Sequence, residues 1–580
     1  MRPQIRRRSA DAPELVNAGL HPVLARVFAS RGLDDATQLT LGLSQLLPPT
    51  GFKGLGEAAA LLADTIESSE TLLFVGDFDA DGATSIAVAM TVLRQMGATG
   101  IDYLVPNRFE MGYGLTPEIV ELAGTRDPAV IVTVDNGISS IDGVLRASEL
   151  GIRTVITDHH LPGAELPAAD VIVNPNQPGC DFPSKALAGV GVIFYVLSAL
   201  RRELVERGWF DRRGIPVPNL ADVLDLVALG TVADVVPLDR NNRVLVQQGL
   251  MRMRAGQTRP GIRALLEVSG RSLHRVVASD LAFGVAPRLN AAGRLDDMSI
   301  GIGCLLAEDE FKARGVAGTL DGLNRDRQQI ERGMQDEAIR SLDDMLPTLE
   351  SQLPASICLY QPGWHQGVVG ILASRIKERL HRPTIAFADG EEGLLKGSAR
   401  SIPGLHIRDA LDRVATQYPG LIDKFGGHAM AAGLSLPAGR LEEFSSALES
   451  VVAELLEDVE LEAVIDSDGE LSVDQFELAL ARELRYAAPW GQHFPEPVFD
   501  GEFQVISQRL VGERHLKMVL APIDAPRRYL DAIQFNIDLE QWPNEQVERV
   551  RAAYRLDCNY FRGEEGLQLM VESLEPVSQP

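Results

Sequence analysis

The sequence predicts an α/β protein: a parallel-sheet domain, a second α/β block joined to it by a long helix, and a C-terminal β-barrel resembling an OB-fold. Three observations predict it. Between Thr71 and Pro237 short β-branched runs alternate with longer helical segments, the pattern of a parallel sheet with crossover helices. A polar stretch in mid-chain carries apolar residues at helical spacing, and after Pro497 short alternating runs are separated by turn residues.

In chain order, the first strand is the run Thr71-Leu72-Leu73-Phe74. It leads into Val75-Gly76-Asp77-Phe78-Asp79-Ala80-Asp81-Gly82, and a helix is expected over residues 83–96. Further strands are expected at 130–134, 154–157 and 171–173. The second ends in Asp135-Asn136-Gly137 and the third in Asp158-His159-His160. Ligands of a parallel sheet bind at the carboxyl ends of its strands, so Asp77, Asp79, Asp81, Asp135, His159 and His160 are expected at one rim. Clustered carboxylates repel one another unless cations neutralise them, which points to hard divalent metal. An EF-hand is excluded, because the twelfth position counted from Asp77 is Val88 rather than Glu.

Residues 308–345 are expected to form the long helix, with Leu320, Leu323, Ile330, Met334, Ile339 and Leu342 at helical spacing. The second block spans about 355–455 and carries Gly363-Trp364-His365-Gln366-Gly367 and Gly426-Gly427-His428. The acidic stretch 454–470 precedes a tail with strands expected at 501–507, 515–520, 529–535, 550–561 and 567–571. Between Gln508 and Tyr529 five Lys/Arg face two acids, beside Tyr529, Phe535 and Tyr560. Basic groups interleaved with aromatics suit a stacked single strand, although barrel interiors also need aromatics.

A chain of 580 residues exceeds what one core supports. No apolar run approaches the roughly 20 residues that span a bilayer, and the segment after Arg6-Arg7-Arg8 is not an apolar signal region. Cys180, Cys304, Cys358 and Cys558 form no CxxC pair, which suits a reducing, cytoplasmic setting without membrane attachment. The net charge of −26 disfavours nucleic acid as a partner, but a local basic groove and bound metal ions decide single-strand binding.

The motifs GDFDADGATS, TVDNG, TDHH, LVALGTVADVVPL, APRLNAAGR, GWHQGVVGILASR, GSARS and FGGHAMAAG, in this order, resemble the DHH phosphoesterase superfamily and, within it, its bacterial single-strand-specific 5′→3′ DNA exonucleases. The resemblance implies an N-terminal segment (1–50), a DHH catalytic domain (51–305), a connecting helix (306–346), a DHH-associated domain (347–460) and an OB-fold-like domain (461–580). It implies two Mn²⁺ or Mg²⁺ ions, hydrolysis of single-stranded DNA to 5′-mononucleotides in recombination and repair, and a monomer working with a single-strand-binding protein and a DNA helicase. By motif, Asp79 and the bridging Asp135 hold the first metal; Asp81, Asp135, His159 and Asp234 hold the second, with Asp222 and Asp225 as other candidates for the distal position. Many family members carry a His four residues before the Asp79 position; Val75 stands there, so water or Asp77 completes the first site or the site is weaker.

Two divalent ions with a shared carboxylate suit in-line displacement at phosphorus. His160 is expected to contact the phosphate or protonate the leaving group, and Asp158 to orient an imidazole. By resemblance, Arg108, Ser398 and Arg400 grip the terminal 5′ phosphate, Arg288 and Asn290 contact the strand, and the backbone at Gly426-Gly427-His428 approaches a phosphate. The alternatives are an oligoribonucleotide or cyclic-dinucleotide phosphodiesterase and a non-catalytic DNA-binding scaffold. The length and β tail argue against the first, the intact ligand set against the second.

Overall fold

The computed structural model describes residues 3–106, 114–345, 354–391, 393–427, 429–456, 464–512, 515–537, 542, 547–561 and 563–577, side chains at 341–345 and 561 excepted. It divides into two compact units. One comprises Arg2–Gly293, Asp297–Thr319 and Val464–Pro580; the other comprises Arg294–Asp296 and Leu320–Ala463.

In the larger unit a five-stranded parallel sheet has the order Ile101–Leu104, Leu72–Gly76, Val130–Val134, Arg153–Thr157, Val171–Val173. Leu72–Gly76 and Val130–Val134 are buried along their whole length, as strands covered on both faces must be. The chain steps from Leu72–Gly76 to one side, then crosses back to Val130–Val134 on the other. The crevice between those two strands is the switch point at which open α/β sheets bind ligands. Val75 packs among Leu73, Leu104, Ile131 and Ile156 in the apolar core.

A second sheet in this unit closes on itself as a barrel of Phe499–Val511, His515–Pro522, Leu530–Gln534, Glu564–Pro576 and Arg549–Phe561. The N-terminal segment joins it in an unexpected way. Gln4–Arg7 pairs in parallel with Val464–Ser467, and Phe28 stacks on Trp490 at 5.8 Å and Phe494 at 6.4 Å. Residues at the two ends of the chain thus share one core.

The helix Glu310–Met345 runs 36 residues, close to the expected 308–345. In the smaller unit the sheet order is Lys424–Gly427, Ala431–Pro437, Leu394–Arg400, Thr384–Asp389, Ile357–Tyr360. Only the last pair is parallel, so this block is a mixed sheet rather than a second parallel one. Helices Val369–Leu380, Ile407–Gln417 and Leu441–Leu455 accompany it.

Candidate metal centre

Three neighbouring strands deliver the site. Because paired strands lie about 4.8 Å apart, loops leaving the ends of Leu72–Gly76, Val130–Val134 and Arg153–Thr157 must meet. Asp79 N-caps the helix Ala80–Gln95, its Oδ1 accepting from the N–H groups of Asp81 (2.9 Å) and Gly82 (3.1 Å). The helix starts three residues earlier than the sequence suggested, because this cap turns the acidic loop into its first turn. Gly82 is required there: a Cβ would stand 2.4 Å from the carbonyl oxygen of Asp77. Asp135 sits in the left-handed region at φ 63°, which Asp tolerates better than most residues. Asn136 fastens the ends of two strands, donating to the carbonyls of Val75 (3.1 Å) and Val134 (2.9 Å).

The carboxylates and imidazoles converge. Ligand atoms of Asp77, Asp79 and Asp135 lie within 4.8 Å of one another, as do those of Asp81, His159 and Asp234, and those of Asp135, His159 and His160. His159 Nε2 is 3.1 Å from Asp135 Oδ1 and 3.4 Å from Asp234 Oδ2. The other two candidates for the distal position are engaged elsewhere: Asp222 pairs with Arg252, and Asp225 with Arg259 at 3.0 Å.

Asp158 has a different job. It is buried, with Oδ2 accepting from Ile138 N–H (2.9 Å) and Oδ1 from His159 N–H (2.7 Å), His160 N–H (3.1 Å) and His160 Nδ1 (2.7 Å). Burial alone would raise Asp158, but the hydrogen bond and charge of His160 outweigh it and hold the carboxyl at about 2. Burial opposes protonation of His160 as well, yet Asp158 lifts it to about 9.

The converging acids behave in the opposite way. Burial and then Asp234 push Asp81 up to about 7; burial and then Asp79 push Asp234 up to about 7; burial and then Asp81 raise Asp135 far above the carboxylate range. Among the described residues no Lys or Arg pairs with Asp81, Asp135 or Asp234. Asp135 Oδ1, His159 Nε2 and Asp234 Oδ2 are buried without a hydrogen-bond partner. Oxygen-rich, buried and without a Lys or Arg counter-charge among the described residues, these residues fit divalent metal.

Several positions that shape the site carry no sequence signal of their own. Helix Gly189–Glu206 aims its N-terminus at Asp81, whose carboxylate accepts from Gly189 N–H (2.6 Å) and Val190 N–H (3.0 Å). A Cβ on Gly189 would stand 2.6 Å from Asp135 Cβ, and one on Gly230 2.8 Å from Asp81 Oδ1. Asn174 and Asn176 hold the carbonyls of His160 (2.9 Å) and His159 (2.6 Å). Only the fold brings these residues to the ligands.

The expected DNA contacts divide. Asn290 Oδ1 accepts from Ala80 N–H at 2.8 Å, so it buttresses the acidic loop, and Arg288 Nη1 donates to the Gly284 carbonyl at 2.5 Å. In the smaller unit Ser398 and Arg400 alternate on one face of Leu394–Arg400 and bond to each other at 3.1 Å, and Gly370 passes so close that a Cβ would be 2.8 Å from each. Gly427, at φ 145°, has no room for a Cβ, which would lie 2.4 Å from the Ala431 carbonyl oxygen. The turn into the next strand therefore accounts for this glycine. Arg108 and His428 lie outside the described residues. On the barrel Tyr529 is 63% and Phe535 50% exposed, whereas Tyr560 is covered by Arg275 at 3.8 Å.

Comparison with known proteins accords with this geometry. Family models match at residues 71–231 (DHH family, N-terminal domain), 353–454 (DHHA1 domain) and 467–573 (RecJ OB domain). The single-stranded-DNA-specific exonuclease RecJ of Escherichia coli (strain K12) is 53% identical over 574 residues, covering 99% of each chain. The crystal structure of RecJ in complex with Mn²⁺ from Thermus thermophilus superposes with a TM-score of 0.79 at 30% identity, covering 100% of this chain and 81% of that one. Its counterpart in complex with Mg²⁺ gives 0.74 at 27% identity, covering 100% and 79%. With that identity sustained over nearly the whole length of both chains, the chain belongs to the RecJ family of DHH proteins.

Proposed function

We propose that this protein is a metal-dependent exonuclease that hydrolyses single-stranded DNA from the 5′ end and releases 5′-mononucleotides, acting in recombination and repair. The observation that carries the reading is the set of buried, unpartnered atoms Asp135 Oδ1, His159 Nε2 and Asp234 Oδ2 beside acids pushed far from their usual range. Asp79, Asp135 and Asp77 hold one Mn²⁺ or Mg²⁺ ion, and Asp81, Asp135, His159 and Asp234 the other. When bound, such ions lower the pKa of a water and offset charge on the leaving oxygen. Asp135 groups with Asp77 and Asp79 and stands 3.1 Å from His159 Nε2 of the other set, a position from which one carboxylate would bridge the two ions. His160, oriented at Nδ1 by Asp158, is the residue that contacts the phosphate or protonates the leaving oxygen in this reading.

Ser398 and Arg400 suit a terminal phosphate: a guanidinium matches its geometry and distinguishes a free end by its extra charge. Arg108 and His428 complete that reading from sequence alone, and Arg288 adds a strand contact. Exposed Tyr529 and Phe535 offer stacking platforms on the barrel. In this reading the protein is a cytoplasmic monomer that works with a single-strand-binding protein and a DNA helicase that supply the strand; among the described residues no helix is long and apolar enough to cross a membrane.

The test is a time course on a 3′-labelled, 5′-phosphorylated DNA single strand with Mn²⁺, beside its duplex and RNA counterparts. Progressive shortening of the labelled DNA single strand, with duplex and RNA spared, is expected. Immediate release of labelled mononucleotide would reverse the polarity, and cleavage confined to short RNA would overturn the substrate.

A further inference from the structure

The rim of the metal centre is not uniformly polar. Asp234 ends the helix Leu224–Ala233 in right-handed geometry, and the next residue, Val235, occupies the left-handed region at φ 62°. That position after a helix normally takes glycine. A β-branched residue is the worst choice there, because its Cβ substituents crowd the backbone. Cores can compensate such strain by burying the side chain, yet Val235 is 61% exposed. Strain without burial, next to a site residue, marks a side chain whose use lies outside the folded chain.

Val235 has a counterpart. Leu161 directly follows His160 and is 55% exposed. His159 links the two segments, its Nε2 standing 3.4 Å from Asp234 Oδ2. Two exposed aliphatic side chains thus stand next in sequence to residues of a buried, acidic centre, Val235 after Asp234 and Leu161 after His160. Their chemistry suits neither a phosphate nor a metal. What a nucleotide offers next to its phosphate is the sugar, and a deoxyribose presents an apolar C2′ where a ribose presents a hydroxyl.

We propose that Val235 and Leu161 form an apolar lip that seats the deoxyribose of the nucleotide being released, so that a ribose 2′-hydroxyl at that position is desolvated without a hydrogen-bond partner. This rests on the reading of the centre as a single-stranded DNA nuclease and names how that site selects its sugar. The lip supplies discrimination of modest size, since apolar pockets reject an added hydroxyl by about a hundredfold at most.

The test compares kcat/KM on a 5′-phosphorylated DNA oligonucleotide with that on the same strand carrying one ribonucleotide at its 5′ terminus, in the wild type, Val235→Gly and Leu161→Ser. The wild type should prefer the all-DNA strand. In Val235→Gly the melting temperature should hold or rise as the backbone relaxes, KM on DNA should rise, and the sugar preference should fall about tenfold; Leu161→Ser should lose preference in the same direction. A wild-type preference retained in both variants, or no preference in the wild type, overturns the lip. So does a fall in melting temperature in Val235→Gly with preference intact, which would assign Val235 to packing. Failure of the wild type to degrade the all-DNA strand would instead overturn the function on which the lip depends.

Discussion

Asp135 and Asp468 are both buried aspartates of the larger unit, and their surroundings differ in one respect. Asp468 faces Arg31, whose side chain is 2% exposed, through a bond of 2.9 Å, and accepts as well from Ser30 Oγ at 2.8 Å. Nearby Asp500 is clasped by Arg7 at 2.7 Å and Ser467 at 2.6 Å; burial would raise it, but the Arg7 bond outweighs burial and holds it below the usual range. Asp135, Asp81 and Asp234 have no such cation, and burial drives them upward. The same residue type, at the same depth, therefore closes the chain's two ends together in one place and waits for a cation in the other. Burial of an acid is not itself a sign of function. What separates the two sets is whether the chain supplies the counter-charge.

The sharpest way to break this comparison is to remove one member of each set. Asp135→Ala should lower hydrolysis of single-stranded DNA by about 10⁴-fold, the scale on which groups acting as a unit fail together, while the metal-free protein melts no earlier than wild type because the cost of burying an unpaired acid has gone. Wild-type turnover in this variant would sink the shared-ligand reading. Asp468→Ala should do the converse: Arg31 is left buried and unpaired, at a cost of about 3–5 kcal/mol, seen as a lower urea midpoint, with turnover on short DNA retained below the melting temperature. Asp158→Asn tests the intermediate case, a paired acid inside the unpaired cluster. Weakening the bond to His160 Nδ1 should lower activity by about 10–100-fold and bring the His160 pKa down from about 9, a shift NMR can follow.

The two sets were not equally legible. Asp77, Asp79, Asp81, Asp135 and His159 announce themselves because each follows an apolar, strand-like run, and a parallel sheet gathers its strand ends. Asp234 needed its motif, since Asp222 and Asp225 are the same residue nearby; only the ion pairs to Arg252 and Arg259 separate them. The pairing of Gln4–Arg7 with Val464–Ser467 left no local mark, because short strands with partners hundreds of residues away have no periodicity that names the partner. Gly189 and Gly230 were equally silent: their importance is a clearance, and clearances exist only once the chain is packed. Asn290, expected as a strand contact, also accepts from the Ala80 N–H, a bond the sequence does not announce because it exists only once the helix carrying Asn290 passes the acidic loop.

The smallest effect sharpens the comparison most finely, because it reads both sets in one titration. An acid whose pKa is raised by folding contributes its full stability below its unfolded value of about 3.9 and loses it as pH climbs to the folded value. Asp81 and Asp234, near 7 without metal, should therefore make the metal-free protein less stable between about pH 4 and 7. An acid depressed by folding, such as Asp500, contributes stability above its unfolded value and loses it as pH falls. Metal-free protein should thus melt highest in mildly acidic solution and lose stability on both sides. Adding Mn²⁺ should restore only the upper side, since metal replaces protons at the unpaired acids and nothing at the arginine-paired ones. The gap in melting temperature between Mn²⁺-loaded and EDTA-treated protein should accordingly widen by a few degrees from about pH 5 to about pH 8. A gap that narrows over that interval would mean the converging acids already have a cation from the chain, and the distinction between the two sets would fall with it.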